Sequence, residues 1–193
     1  MTLSRPDSRA RFAVDTRPLG RQPGSSRTES RVVPAPAGFA TAMAGVPEGA
    51  DIELDLRLEA VMEGVLATGT ATADSVGECA RCLDPITEPL EAGFQELFRY
   101  PSDDDFRAAD DVDAEDEDED YYLEGDSLDL EPVVRDAVVL ALPLSPLCRD
   151  DCPGLCVECG VKLAEAGPEH GHGDSVDPRW EALRDLGEEP GDR

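Results

Sequence analysis

The spacing of six cysteines constrains this chain more than any other feature: Cys79-x2-Cys82, then 65 residues, then Cys148-x3-Cys152-x3-Cys156-x2-Cys159. Two cysteines two or three residues apart form a knuckle, in which both thiolates reach one tetrahedral ion from a single turn of backbone. One grouping closes Cys148, Cys152, Cys156 and Cys159 on a single ion. Only "PGL" then joins the two knuckles, whereas zinc sites usually allow a dozen or more residues between pairs, and Cys79 and Cys82 are left without partners. The other grouping counts every soft ligand. Six cysteines and the only two histidines, His170 and His172, make eight, enough for two tetrahedral sites. The first site joins Cys79 and Cys82 to Cys148 and Cys152. The second joins Cys156 and Cys159 to His170 and His172, which lie two apart on a chain that Gly171 and Gly173 leave free to adjust.

Zinc is the expected ion, being borderline-soft, redox-inert and suited to sulfur and nitrogen ligands. One or two zinc ions with no open coordination position have a structural role. A thiol–disulfide use of Cys79 and Cys82 is the alternative. That chemistry wants a strand followed by a helix N-terminus, which lowers the thiol pKa, and "GECARCLDPITE" instead runs quickly to Pro85 and strand-like sequence.

The chain has no apolar run of 18 residues and its N-terminus lacks the pattern of a secretory signal, so a cytoplasmic protein with no membrane contact is expected. Thiols stay reduced in that compartment, which again favours metal over disulfide. The net charge of −27 argues against non-specific nucleic-acid binding by the chain as a whole, because phosphate affinity comes from Lys and Arg. The charge is unevenly spread, however. Residues 1–35 hold seven Arg against three acids, +4, so the other 158 residues carry −31. Residues 1–50 read as an Arg-containing arm, with Arg5, Arg9, Arg11, Arg17, Arg21, Arg27 and Arg31 strung along turn-rich sequence. Arg11, Arg17, Arg21, Arg27 and Arg31 are its candidate RNA contacts.

The second signal is periodicity. "DIELDLRLEA" at 51–60 alternates strictly, with Ile52, Leu54, Leu56, Leu58 and Ala60 on one side, which predicts a half-buried strand. "VLATGTATADSVG" and "ITEPLEAGFQELFRY" supply two more, giving an antiparallel β-meander, with Pro89 placing the third at an edge or a bulge. Residues 103–126 contain fourteen acids and one Arg, a run that repels itself and predicts a disordered acidic loop over 102–126. A helix follows in "SLDLEPVVRDAVVLALPL", with Asp129 as candidate cap and Pro132 in its first turn. Leu130, Val134, Ala137 and Ala141 form its stripe, Val133, Val138 and Leu140 widen it, and Pro143 ends it. "DPRWEALRDL" repeats the device as a short docking helix.

The expected fold is α+β: an antiparallel meander packed with one or two helices, stapled by zinc, with a basic arm and an acidic disordered loop. Residues 51–160 make one small domain, flanked by the 1–50 arm and a 161–193 tail. No Ser/His/Asp set, phosphate-cradling Gly loop or defined carboxylate pair stands out, so hydrolase or kinase chemistry has no support and no small-molecule substrate is expected.

"CARC", then the helix ending "LPLSPLC", then "CPGLCVECG" and "DPRWEALRDL" resemble the YceD family of large ribosomal RNA subunit accumulation proteins. The likeness spans roughly residues 9–187, and "DTRPLGRQPGSSRT" is similar to the arm of its high-GC Gram-positive members. The resemblance implies a cytoplasmic, non-enzymatic factor for synthesis, processing or stability of 23S ribosomal RNA, acting on precursor large-subunit RNA or a large-subunit ribosomal protein. It also implies that the pair matching Cys79 and Cys82 is commonly shared, with His in some members at Cys148 and Cys152 and Cys-x-Cys in many at His170-Gly171-His172. Both exchanges suit metal ligation. The competing functions are a thiol redox protein and an acidic chaperone for a basic ribosomal protein.

Overall fold

Three consecutive strands of alternating sequence dominate the computed structural model, which describes residues 11–101, 121–172 and 179. In chain order the elements are β1 (Ala13–Asp15), β2 (Ser26–Pro34), β3 (Ala44–Gly45), β4 (Asp51–Ala60), β5 (Gly64–Glu78), β6 (Pro85–Arg99), β7 (Tyr121–Tyr122), β8 (Ser127–Asp129) and helix α1 (Glu131–Ala141). The main sheet has the order β2-β4-β5-β6-β7, with β3 paired to β5, and β1 and β8 form a separate antiparallel ribbon. The β4-β5-β6 meander is therefore as the alternation predicts.

Its core face is built of unequal columns. Leu54 lies opposite Ala71 and then Ala92; Leu56 lies opposite Gly69 and then Phe94. The small residues of β5 make room for their neighbours: a Cβ on Gly69 would stand 2.7 Å from the Phe94 ring and from the Asp55 carbonyl. α1 closes this face over β6 and β5, together with Phe12, Val14, Phe39, Leu128 and Leu130, all fully buried. The opposite face is open, and the odd residues of β4 there are exposed or half-buried.

α1 begins one residue beyond the expected cap: Leu130, not Asp129, is the N-cap, and it makes no side-chain capping bond. The Asp129 carboxylate accepts the Glu131 N–H at 2.9 Å, which satisfies one of the donors a helix start leaves unpaired, and Pro132 occupies the first turn. Leu142 is extended, as the residue before Pro143 must be. Val133, Val134 and Val138 are buried, but Leu140 is 85% exposed and Ala141 is also exposed, so the apolar stripe is narrower than the sequence suggested.

Residues 11–50 correct the expectation of an N-terminal arm. β2 pairs with β4 along its whole length, from Ser26↔Glu59 to Pro34↔Asp51, and Phe12, Val14, Leu19, Val33, Ala35, Phe39, Ala44 and Val46 are core. The pairing register puts Arg27, Glu29 and Arg31 on the same face as Leu58, Leu56 and Leu54. Charges turned inward on an edge strand deter pairing with foreign strands, and they also erase the alternation by which a strand is recognised.

The acidic-loop expectation divides in two. Residues 102–120 lie outside the described residues. Residues 121–126 are structured: β7 runs parallel to Phe98 and Arg99, Leu123 is buried, and its N–H bonds the Arg99 carbonyl at 2.9 Å. Pro89 sits on the edge of the sheet as expected and without a bulge, facing Asp74 in continuous register, while β7 covers only Phe98 and Arg99. The terminal docking helix lies outside the described residues apart from Arg179. Among the described residues no helix is long and apolar enough to cross a membrane.

Candidate metal centres

The turn between β5 and β6 and the segment after α1 meet at one end of the sheet, and there the eight predicted ligands gather in two groups of four. Cys79, Cys82, Cys148 and Cys152 form one; Cys156, Cys159, His170 and His172 form the other; in each, the four donor atoms lie within 4.8 Å of one another. Either group can hold a metal ion. All six cysteines are free thiols, so no disulfide competes.

Both Cys-x-x-Cys turns have the same backbone pattern. In the first, the Cys79 N–H bonds the Asp84 carbonyl at 2.8 Å and the Leu83 N–H bonds the Cys79 carbonyl at 2.9 Å. In the second, Cys156 N–H bonds Val161 at 2.8 Å and Gly160 N–H bonds Cys156 at 2.8 Å, the same offsets. The residue after each second cysteine is left-handed, Gly160 at φ 71° and Leu83 at φ 61°. Leu83 pays the steric cost that Gly160 avoids. These are ligand-presenting knuckles, and neither cysteine pair opens a helix, the placement that a thioredoxin-like dithiol requires.

The first group is deeply set: Cys79, Cys82 and Cys152 are 0%, 6% and 3% exposed. Its sulfurs stand 3.8 Å apart for Cys79 and Cys152 and 3.6 Å for Cys82 and Cys148. A tetrahedral ion with metal–sulfur bonds of about 2.3 Å sets its ligands about 3.8 Å apart, so the cage is already dimensioned for one. Amide N–H groups, that of Cys148 foremost and then those of Cys82 and Arg81, draw the Cys79 thiol down to about 6 against its burial. For Cys82 the Asp84 amide pulls the same way, but burial and the sulfurs of Cys79, Cys148 and Cys152 push it up to about 12. Packed thiolates repel one another until a cation shares their charge.

The second group is open to solvent. Cys159 Sγ lies 3.8 Å from His170 Nε2 and 3.2 Å from His172 Nε2, bracketing the roughly 3.6 Å expected between nitrogen and sulfur on one tetrahedral ion. Glu158 stands 3.7 Å from His172 Nδ1, where a carboxylate can fix the ring so that Nε2 faces the ligands. The His170 ring, with help from the amides of Cys159 and Glu158, draws the Cys156 thiol down to about 6.

Residues outside the ligand set tie the groups together. Arg81, between the first two cysteines, donates to the Cys152 carbonyl at 2.9 Å and accepts the Leu155 N–H at 3.1 Å. Gly154, at φ 80°, passes so close that a Cβ would stand 3.1 Å from the Arg81 carbonyl. Lys162, the only lysine, pairs with Asp84 and holds its carboxyl below the usual range, assisted by the Cys82 thiol. The only sequence hint of these roles was the singularity of Lys162.

The candidate RNA-contacting arginines are not gathered into a free arm. Arg17 makes a bidentate pair with Asp15, at 2.7 Å for the closest contact, and Arg21 stacks 4.9 Å from the Tyr100 ring centre and faces Asp126. Arg27 lies 3.6 Å from Glu29, and Arg31 pairs with Glu29 and donates to the Ala13 carbonyl at 3.0 Å. Arg11, half-buried, directly precedes Phe12.

Comparison with known proteins places this geometry in a family. A Mycobacterium tuberculosis protein is 45% identical over 175 residues, 91% of this chain and 81% of its own length, and a Mycobacterium leprae protein is 41% identical over 89% and 76%. The maize chloroplastic protein named large ribosomal RNA subunit accumulation protein YCED homolog 1 is 27% identical over 83% of this chain and 56% of its own. No solved structure matches the chain. The family model described as large ribosomal RNA subunit accumulation protein YceD matches residues 67–187, which takes in most of β5, all of β6, α1 and all eight candidate ligands, and the chain belongs to that family.

Proposed function

We propose that this protein is a non-enzymatic cytoplasmic factor that sustains accumulation of 23S ribosomal RNA, with structural zinc at both four-ligand groups. Membership of the YceD family carries the reading, and the maize relative is named a large ribosomal RNA subunit accumulation protein. Zinc is supported by the donor sets, four thiolates in one case and two thiolates with two imidazoles in the other, and by their tetrahedral spacing. At the first group Cys79, Cys82, Cys148 and Cys152 would hold the ion, which supplies the positive charge the packed sulfurs lack. The chain's own residues do the rest: Arg81 and Asp84 join the knuckle to the segment after α1, so the ion staples the end of the sheet to the helix.

The redox alternative loses ground on geometry. The lowered Cys79 thiol has its cause first in the Cys148 amide and then in the amides of its own knuckle, and two further sulfurs crowd the pair.

The partner is precursor large-subunit RNA or a large-subunit ribosomal protein, and the distribution of charge favours the protein. Arg17, Arg27 and Arg31 are engaged by carboxylates of the fold, while the open sheet face presents Glu53 and Asp55 from β4, Asp74 from β5 and Glu91 from β6, beside the Arg57–Glu59 pair. Ribosomal proteins are basic, and an acidic face meets them favourably.

In-cell crosslinking followed by sedimentation tests the function: the protein should travel with precursor large subunits, and failure to do so would falsify the ribosomal role. For the contact, Arg17→Ala/Arg21→Ala/Arg27→Ala should leave association with precursor particles within about twofold and its salt dependence unchanged. Glu53→Lys/Glu91→Lys should weaken association at least about tenfold. The opposite pair of results would assign the contact to RNA phosphate.

A further inference from the structure

The two metal groups differ in what holds them without metal. The first is set into the folded domain, with three of its four cysteines buried against the ends of β5 and β6. The second belongs to residues 155–172, eighteen residues of which none is buried. Backbone bonds within this segment are short-range: Cys156 to Val161, Gly160 to Cys156, Glu165 and Ala166 to Lys162, and His170 to Gly167. One isolated bridge, Leu155↔Lys162, closes its hairpin. Its ties to the rest of the chain are the Leu155 N–H to Arg81, the Leu163 N–H to Gly154 and the Lys162–Asp84 pair.

A segment that buries no apolar side chain has little to set against the conformational entropy lost on ordering. What gathers Cys156, Cys159, His170 and His172 across that span is then the ion itself, and metal binding becomes folding, as in small zinc domains. Access follows the same division. A competing ligand must approach the ion to displace a thiolate. The first cage can be approached only on the side of Cys148, its one exposed ligand, whereas Cys159, His170 and His172 all face solvent.

We propose that residues 155–172 are a metal-dependent folding unit with an exchangeable ion, a switch that responds to available zinc, while the first cage releases its ion far more slowly. This rests on the reading that both groups bind zinc. The coupling between the two sites is reciprocal in affinity but unequal in its structural consequence. The filled first site fixes Arg81 and Asp84, the dock for the second unit, so emptying the first releases the second. Emptying the second leaves the first intact. In the loaded state His170 and His172 are held at the end of the sheet; in the empty state that hold is lost.

Lys162 makes the test direct, because a lysine-specific endoprotease has this one site in the whole chain and it lies inside the unit. Zinc-loaded full-length protein is mixed with an excess of a chromogenic chelator, and ion release and cleavage are followed together. Two equivalents should leave in separate phases, the first at least tenfold faster, and cleavage after Lys162 should follow the fast phase. Circular dichroism of the sheet should not change during that phase. His170→Ala/His172→Ala should retain one equivalent, lack the fast phase and be cut at Lys162 even in excess zinc. Two ions leaving in a single phase, or equal protection of Lys162 with and without the fast ion, overturns the switch and leaves the zinc reading standing. A protein that binds no zinc overturns both.

Discussion

Replacing Cys152 by Ser should empty the buried cage, leave fewer than one zinc per chain and lower the melting temperature by at least about 15 °C. The size follows from what structural zinc is worth. In small peptides it contributes about 10–16 kcal/mol of apparent binding free energy, as much as the whole stability of many domains, about 5–15 kcal/mol. This sheet has a core of its own, so only part of that should be lost. About 5 kcal/mol, at roughly 3 °C per kcal/mol for a chain of this size, gives the figure. Cys152 is the informative ligand because its sulfur is buried, 3.8 Å from Cys79, and because its carbonyl also anchors Arg81. A serine hydroxyl there is a poor ligand for a soft ion and leaves three thiols crowded without their shared cation. Cys156→Ser is the contrast: one ion should be lost with a shift below about 3 °C, because no buried residue depends on it. Metal analysis and calorimetry on the two variants measure both effects. A Cys152→Ser protein with two ions and an unchanged melting temperature would remove the staple from the account.

The staple also explains which parts of this chain can be read without its structure. β4 announces itself because one face is core and the other is open, so its alternation is unbroken. α1 announces itself through Asp129, Pro132 and Pro143, whose effects are local. The two ligand groups were legible for a different reason: eight soft ligands divide into two fours, and the short "PGL" link disfavours the compact alternative. What stayed hidden depends on partners far along the chain. β1 has three residues and exists because Ala13 faces Asp129 in β8. β2 carries Arg27, Glu29 and Arg31 on the core side, so it looks like a polar arm. The left-handed turn at Leu83 is invisible because the residue is neither Gly nor Asn; the knuckle hydrogen bonds impose it. The Lys162–Asp84 pair joins residues 78 apart.

Phe98→Ala should cost about 3–5 kcal/mol, a fall of about 10–15 °C, with both zinc ions retained. The side chain is 1% exposed, faces Val65 across the β5-β6 ladder, and its ring lies 5.5 Å from that of Tyr121. β7 pairs with β6 at Phe98 and Arg99, so the ring holds β7 as well as filling the core. Truncation leaves a cavity, and its cost depends on how far the walls can collapse. Here they cannot move inward far. β5 and β6 already touch so closely that a Cβ on Gly64 would stand 2.0 Å from the Phe98 carbonyl oxygen, and the fifteen-residue pairing of these strands fixes their separation. The cost should therefore fall in the upper half of the range, and Tyr121, losing its neighbour, should become more accessible to solvent. Leu140→Ala on the exposed side of α1 provides the baseline, with an expected change below about 0.5 kcal/mol. Denaturant unfolding of the two variants distinguishes them. A Phe98→Ala cost under about 1 kcal/mol would mean that β7 is not seated on this ring and is held to the sheet by something other than the core.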